Sequence, residues 1–313
     1  MEQSAKVLKR VIDNVEKVMV GKKNCIELAL ISLVCRGHIL IEDVPGVGKT
    51  SLVASIAKSL NASFKRIQFT PDILPSDITG FSIFNQKTYE FEYRPGAIMS
   101  QIVLADEINR TSPKTQASLL EVMEEGQVTV DGNTYMLPKP FMVLATQNPI
   151  EYLGTFPLPE AQIDRFFMKI SINYPLPGEE SYMLSRFQHS NPLDELGPVA
   201  DSSEITQLQQ KVKDIHVDRS LNNYIVDIVT ETRRHSDISL GASPRGSMSL
   251  FRAAQAWALY NERDYVIPDD VKKMIIPVLS HRIILKQEAR LKKVTAGDIL
   301  LSIEDRVRVP VMD

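Results

Sequence analysis

The sequence has little of what marks several large classes of protein. Cysteine occurs only at Cys25 and Cys35, and neither has a histidine or a second cysteine at metal-ligand spacing. This argues against a disulfide framework and against a zinc site, and we expect two buried thiols. The longest apolar run, around residues 26–35, includes Glu27 and is too short to cross a bilayer, which takes about 20 residues.

An excess of basic charge is also missing. The formal net charge is −3 and the isoelectric point is about 6.0, so the chain lacks the overall basic field that non-specific DNA binding needs. Residues 1–9 lack the apolar stretch of a signal peptide, and we expect a cytoplasmic protein without a transmembrane segment. The length of 313 residues suits two domains.

What is present is a run of short β-branched segments separated by helical patterns. Such alternation predicts an α/β domain with a parallel sheet. The predicted strands are HILIE (38–42), SFKRIQF (63–69), QIVLADE (101–107) and FMVLATQNP (141–149). The predicted helices are 4–19, 22–35, 49–60 and one that Ser112 caps, that begins at Pro113 and that ends at Gly126.

Two further segments alternate around turn residues and predict hairpins outside the sheet, at 81–96 and at 127–137, where Asp131-Gly132 supplies the turn. Prolines and acids accumulate from 174 to 203, and helical patterns follow near 204–214, 218–235, 244–260 and 269–280. We therefore expect three parts: an α/β core at 1–175, a linker with a connecting helix at 176–217, and an all-helical domain at 218–313.

The stretch HILIEDVPGVGKTSLV predicts a phosphate-binding loop between a strand and a helix, although Asp43 stands where the usual pattern has its first glycine. Backbone N–H groups at a helix N-terminus bind anions, Lys49 would reach the β- and γ-phosphates, and Thr50 would ligate Mg²⁺. We expect Asp43 to turn the chain in left-handed or Asx-turn geometry, with its carboxylate directed away from the phosphates and capping loop N–H groups. The predicted nucleotide-binding residues of the loop are Pro45, Gly46, Val47, Gly48, Lys49, Thr50 and Ser51.

Polar residues end two other predicted strands. Asp106 and Glu107 follow IVLA, and open parallel sheets bind ligands at the carboxyl ends of their strands. Asp106 would hold Mg²⁺ through water, and Glu107 would act as the general base on the attacking water. Asn148 ends the strand of LATQNP and could orient that water, or it could simply form a turn before Pro149.

Two arginines are candidates for contact with a γ-phosphate. Arg165 could stabilise its charge, from within the subunit or across an interface, or it could form an ordinary ion pair with Asp164. Arg245 lies in the first turn of a helix that Ser243 caps, where the helix dipole disfavours a cation, so we expect an anionic partner. A γ-phosphate would serve, and so would a nearby acid.

We interpret two other features as structural. Arg282, Lys286, Arg290 and Lys293 recur at helical spacing, and we interpret them as a solvated helix face rather than a nucleic-acid stripe, since no aromatic residues are interleaved. No two histidines form a metal-ligand pair, and we interpret His38 as structural.

Long segments of the sequence resemble the MoxR family of AAA+ ATPases, from about residue 15 to about residue 285. The segments that carry the resemblance are EDVPGVGKT, QFTPDILPSDITG, ADEINRTSPKTQASLLEVMEE, ATQNPIEYLGTFPLPEAQIDRF and GASPRG.

The resemblance implies an AAA+ fold with a parallel central sheet and a helical lid, with a helix-2 insert at 71–96 and a pre-sensor-1 hairpin at 126–138. It implies Mg²⁺-dependent ATP hydrolysis to ADP in rings, usually hexamers. It also implies a chaperone role on partner complexes that often contain a von Willebrand factor A domain. By position, the resemblance assigns residues as follows: Walker A to Lys49 and Thr50, Walker B to Asp106 and Glu107, sensor 1 to Asn148, the trans-acting arginine finger to Arg165, sensor 2 to Arg245, and adenine packing to Val20 and Gly21.

Three rival functions remain open. A nucleotide-dependent binding switch would hydrolyse little, and the complete set of Glu107, Asn148 and Arg165 argues against it. A DNA-acting relative such as a helicase shares the two insertions, but the chain has no DNA-binding domain that we recognise and its isoelectric point is acidic. A small-molecule P-loop kinase would not need a helical lid with Arg245.

Overall fold

The computed structural model describes residues 2–148, 155–188 and 191–310. Its strands, in chain order, are β1 (Ile39–Glu42), β2 (Phe64–Gln68), β3 (Gly80–Asn85), β4 (Glu90–Pro95), β5 (Ile102–Asp106), β6 (Gln127–Val130), β7 (Asn133–Met136), β8 (Met142–Gln147), β9 (Met168–Ile170), β10 (Ile238–Leu240) and β11 (Ile284–Leu285).

The helices of these ranges are α1 (Glu2–Glu16), α2 (Lys23–Val34), α3 (Lys49–Ser59), α4 (Pro75–Thr79), α5 (Pro113–Glu125), α6 (Glu160–Ile163), α7 (Pro177–Phe187), α8 (Ser202–Lys211), α9 (Arg219–Arg234), α10 (Pro244–Tyr260), α11 (Pro268–Leu279), α12 (Gln287–Leu291) and α13 (Ala296–Arg306). Short 3₁₀ helices lie at Ile108–Arg110 and Val212–Asp214. Within these ranges, none of the helices has both the length and the apolarity that a membrane span requires.

A five-stranded parallel sheet in the order β2-β5-β8-β1-β9 forms the centre of the molecule. The three inner strands are buried along almost their whole length, as their uninterrupted apolar sequences predict for a sheet covered on both faces. Because all five strands are parallel, residues that follow them lie at one edge of the sheet, and residues that precede them lie at the other. We call these the carboxyl edge and the amino edge.

Both predicted hairpins lie outside this sheet. Strand β3 pairs with β4, and β6 pairs with β7 around Asp131 and Gly132, which both have positive φ. Tyr93 of the first hairpin stacks on Tyr135 of the second, with ring centroids 3.9 Å apart, so the two insertions support each other. The predicted α/β fold is therefore confirmed, together with both insertions.

The C-terminal part is mostly helical, but it is not all-helical as predicted for 218–313, because β10 and β11 form a short antiparallel ribbon there. The interpretation of Arg282 and the three basic residues that follow as one helix face is wrong. A turn, strand β11 and the short helix α12 separate these residues, and Arg282 itself is buried. Strand β9 was not predicted, because three residues are too short for a periodic pattern.

His38 connects three elements at the amino edge, as a structural residue should. Its Nδ1 accepts a hydrogen bond from the backbone N–H of Val143 at 3.0 Å, so the ring proton is on Nε2. That nitrogen donates to the carbonyl of Met123, at the end of α5, at 2.9 Å. Burial lowers the pKa of His38 to about 4.

We expect this burial to make the protein less stable in acid. The pKa of His38 in the folded protein lies below the unfolded value of about 6.5. Neutral His38 therefore makes its full contribution to the free energy of unfolding above pH 6.5, and up to about 3 kcal/mol of it is lost as the pH falls towards 4. Urea unfolding from pH 7 to 4.5 should show a shallower pH slope for His38→Gln than for the control His216→Gln, whose side chain is exposed. The pKa of buried His281 is also lowered, but His281 is present in both variants and contributes equally to both pH slopes. Equal slopes would contradict this role of His38.

Candidate active site

A cavity of 350 Å³ lies at the carboxyl edge, between the loop after β1 and the ends of β5 and β8. Its walls contain most of the residues predicted to act on a nucleotide. They are Pro45, Gly46, Gly48, Lys49, Thr50, Asp106, Glu107 and Asn148, together with Arg66. Of the other predicted loop residues, Val47 is buried and Ser51 is half-buried, and neither lines the cavity.

The loop turns at its glycines and not at Asp43. Gly46 and Gly48 have φ of 86° and 92°, whereas Asp43 does not have positive φ, so the left-handed conformation predicted for it is wrong. Its carboxylate caps Val44 N–H at 3.2 Å, as expected, but it also accepts from the N–H groups of Ile172 and Asn173 beyond β9. Asp43 therefore fastens the base of the loop to the neighbouring strand.

The loop contributes the ammonium group of Lys49 to this cavity. Its Nζ donates to the carbonyl oxygen of Asp43 at 2.6 Å. Burial lowers the pKa of Lys49, and the charges of Asp43, Asp106 and Glu107 oppose that shift. A partly desolvated ammonium group beside backbone donors at a helix N-terminus is well placed to bind phosphate.

Asp106 is held from two sides. The hydroxyl of Thr146 donates to Oδ1 at 2.5 Å, and Arg66 donates to Oδ2 from Nε at 3.1 Å and from Nη2 at 2.6 Å. Asp106 and Thr50 line the same cavity and offer a carboxylate and a hydroxyl oxygen, the donors that Mg²⁺ prefers. The residues fit a magnesium ion, although Arg66 is at present the partner of the carboxylate.

Glu107 has a strained backbone, with φ of 59°. Its N–H donates to the Thr146 hydroxyl at 2.8 Å, so a single hydroxyl fixes both adjacent acids. Its carboxylate accepts from Gln68 at 2.9 Å and pairs with Arg110 at 3.2 Å. Asn148 is buried in the wall of the same cavity, and Pro149 beyond it lies outside the described residues.

The predicted adenine segment lies beside the loop. The methyl group of Met19 is 3.5 Å from the position that a Cβ at Gly48 would take. Val20 is half-buried, and Gly21 has φ of 70°. The carboxylate of Glu179 on α7 fills the space that a side chain at Gly21 would need, so a larger residue there would displace α7.

The two candidate arginines are not in this cavity. Arg165 and Arg245 line a separate cavity of 220 Å³ at the amino edge, next to Gly37 and His38. Both pair with Glu124 at the end of α5, at 3.3 Å from Arg165 and 2.6 Å from Arg245. Arg165 pairs with Glu124 and not with Asp164, which was the alternative to a γ-phosphate contact. Arg245 does have an acidic partner, one of the two alternatives that its position in the helix left open.

Sequence reasoning missed four residues of these two sites: Arg66, Gln68, Glu124 and Thr146. For Arg66 and Gln68 a signal existed, since they alternate with Ile67 and therefore share one face of an edge strand. Thr146 precedes Asn148 by two positions and so points to the same side of β8. Nothing in the sequence distinguishes Glu124 from its neighbours Glu121 and Glu125.

Comparison with known proteins agrees with this geometry. The family profile described as "ATPase family associated with various cellular activities (AAA)" matches residues 38–168, and an "AAA lid domain" profile matches residues 230–303. The crystal structure of a candidate ATPase from Cytophaga hutchinsonii superimposes with a TM-score of 0.93 at 41% identity, covering 99% of this chain and 97% of that one. The fold and the site thus define an AAA+ ATPase with a helical lid.

The particular family follows from relatives that match over nearly the whole chain. Chaperone MoxR1 of Mycobacterium tuberculosis is 39% identical over 97% of this chain and 82% of its own length. The uncharacterized protein YeaC of Bacillus subtilis is 54% identical over 97% of this chain and 95% of its own. The chain belongs to the MoxR family of AAA+ ATPases, as its sequence motifs predicted.

Proposed function

We propose that this protein is a ring-forming ATPase that hydrolyses ATP, with Mg²⁺, at sites shared between subunits, and that it uses the energy to remodel partner proteins. The observation that supports a shared site is the separation of the two cavities. Lys49, Asp106 and Glu107 line the one at the carboxyl edge, and Arg165 and Arg245 line the one at the amino edge.

The separation is too large for one subunit to close. Strand β8 runs from one edge of the sheet to the other over Met142–Gln147. Six residues in a strand span about 20 Å, which is longer than an arginine side chain can bridge. Both arginines would therefore reach the nucleotide of a neighbouring subunit, whose γ-phosphate would take the place of Glu124 between them. This separation supports the proposal that Arg245 acts on the nucleotide of the neighbour and not on that of its own subunit.

Within the receiving subunit each residue has a distinct role. The N–H groups of the loop and Lys49 bind the phosphates, Asn148 orients the attacking water, and Glu107 accepts its proton. Bound Mg²⁺, held through Thr50 and Asp106, would neutralise phosphate charge. Val20 and Gly21 would support the adenine ring. Gln68 and Arg110 both contact Glu107 at Oε2 and would orient its carboxylate.

An exposed aromatic surface supports a protein client. Four apolar side chains of the β3–β4 hairpin are at least 43% exposed: Phe81, Ile83, Phe84 and Phe91. Exposed apolar patches of this kind mark interaction sites. The relative from Mycobacterium tuberculosis is named a chaperone, and we extend that role to this chain. Partners with a von Willebrand factor A domain, a hexameric ring and a cytoplasmic location stay predictions.

A mixing experiment tests the shared site. Arg165→Ala subunits keep the loop, and Lys49→Ala subunits keep the arginine, so each is expected to be inactive alone. Mixed rings contain interfaces that join the intact loop of one to the intact arginine of the other. We expect ATPase activity to return to roughly a quarter of the wild-type rate at equal ratio if sites are filled at random and act independently. No recovery at any ratio, with ring assembly verified by size-exclusion chromatography and light scattering, would contradict the proposal.

A further inference from the structure

Arg282, in the turn after α11, is buried and lines the amino-edge cavity, where no role was predicted for it. Its side chain is 1% exposed, so an unpaired guanidinium there would be strongly destabilising. It bonds instead to the segment that carries Arg165. Nε donates to the Asp164 carboxylate at 2.8 Å, and Nη2 donates to the carbonyl of Phe166 at 2.6 Å.

The remaining donors of Arg282 complete this contact. Nη2 also reaches the carbonyl of Asp164 at 3.3 Å and the hydroxyl of Ser249 at 3.3 Å. Nη1 donates to the carbonyl of Phe167 at 3.1 Å and to that of Val278. The guanidinium therefore fixes the backbone on both sides of Arg165.

The lid makes a second contact with the same segment. Ser243, which caps α10, donates from its hydroxyl to the other Asp164 oxygen at 2.8 Å, and its own Oγ accepts from the N–H of Arg245 at 3.2 Å. His281 adds a hydrogen bond from its Nε2 to the Phe166 carbonyl at 3.1 Å. Asp164 is thus bonded to the lid through both of its oxygens.

We propose that Arg282 is a positioning residue, which ties the lid to residues 164–167 so that Arg165 and Arg245 move as one unit toward the neighbour's nucleotide. This inference rests on the proposed shared site. A lid displaced by nucleotide binding would carry both arginines together, since Asp164 and Ser243 are joined. Glu124, which pairs with both, would be released by both in the same movement.

The test is Arg282→Gln, which removes the charge and most of the donors. We expect turnover to fall about 10- to 100-fold with the KM for ATP unchanged, because Arg165 is misplaced while the loop is intact. The matched control is Arg263→Gln. Arg263 is another lid arginine with low exposure, paired with Asp270 at 2.5 Å. Within the part of the chain that the structure describes, its hydrogen bonds go to Tyr265 and Asp270 and not to residues 164–167. It should lower the melting temperature and leave turnover unchanged below that temperature.

Mixing separates this inference from the proposed function. Arg282→Gln subunits mixed with Lys49→Ala subunits should regain activity, because the second kind supplies a well-placed Arg165, whereas a mixture with Arg165→Ala subunits should not. If Arg165→Ala with Lys49→Ala recovers and Arg282→Gln with Lys49→Ala does not, the positioning role is wrong. If neither mixture recovers, the shared site fails, and this inference fails with it.

Milder variants test the same inference if Arg282→Gln does not fold. Should Arg282→Gln lack a cooperative thermal transition, Asp164→Asn and Ser243→Ala remove contacts of the same tie while Arg282 stays. We expect each to lower turnover without changing the KM for ATP and to be complemented by Lys49→Ala subunits. Full wild-type turnover in both would overturn the inference.

Discussion

Rings made only of Arg165→Ala subunits are expected to bind ATP normally and to hydrolyse it about 10³-fold more slowly than the wild type. An arginine that meets the γ-phosphate from a neighbour contributes about 10³–10⁵ to the rate in other nucleotide hydrolases. ATP affinity should change little, because Arg165 is absent from the cavity that contains Lys49 and Thr50. The measurements are steady-state phosphate release and equilibrium binding of a fluorescent ATP analogue.

Two controls make the Arg165 result specific. Arg165→Lys keeps the charge but loses the planar donor fork, so its rate should fall between those of the wild type and the alanine variant. Arg234→Ala removes an arginine whose side chain is 73% exposed and pairs with Glu231 of the same helix, and it should leave turnover unchanged. A normal turnover rate in fully assembled Arg165→Ala rings would exclude Arg165 from catalysis.

Glu107→Gln is expected to lower turnover about 10²–10⁴-fold while ATP binding is retained. The amide cannot accept the proton of the attacking water, and general-base catalysis contributes about this much. The substitution preserves the shape of the side chain and an oxygen that can still accept from Gln68. Single-turnover hydrolysis with radiolabelled ATP gives the rate, and isothermal titration gives the affinity.

The matched control for this change is Glu121→Gln, the same chemical change on the exposed side of α5. It should leave both quantities at the wild-type value. A wild-type protein that hydrolyses ATP no faster than Glu107→Gln would instead favour the nucleotide-dependent binding switch. Acceleration of the wild-type rate by DNA would favour the DNA-acting alternative.

Most residues that line the carboxyl-edge cavity could be predicted, because each of them has a local sign, whereas Arg66 and its neighbours Gln68 and Thr146 were missed. Asp106 and Glu107 follow an uninterrupted apolar run, and Lys49 and Thr50 follow glycines between a strand and a helix. Parallel strands bring such ends together, whatever their order in the sheet. The partners of Asp43 were also missed, because Ile172 and Asn173 are distant in sequence and could not be inferred from the loop alone.

By itself the sequence determined the family, the strand and helix pattern of the core and the candidate phosphate-binding residues, since these depend on neighbours a few positions apart. Only the tertiary structure determined the positions and partners of Arg245 and Arg282. Arg245 meets Glu124 across 121 residues, and Arg282 meets Asp164 across 118. Such pairs form because the lid packs against the amino edge, which buries the Arg282 guanidinium and leaves Arg245 and Glu124 partly exposed. No short-range pattern records that geometry. Arg282 shows this directly, since its spacing predicted a solvated surface, whereas burial makes it the tie between the lid and Arg165.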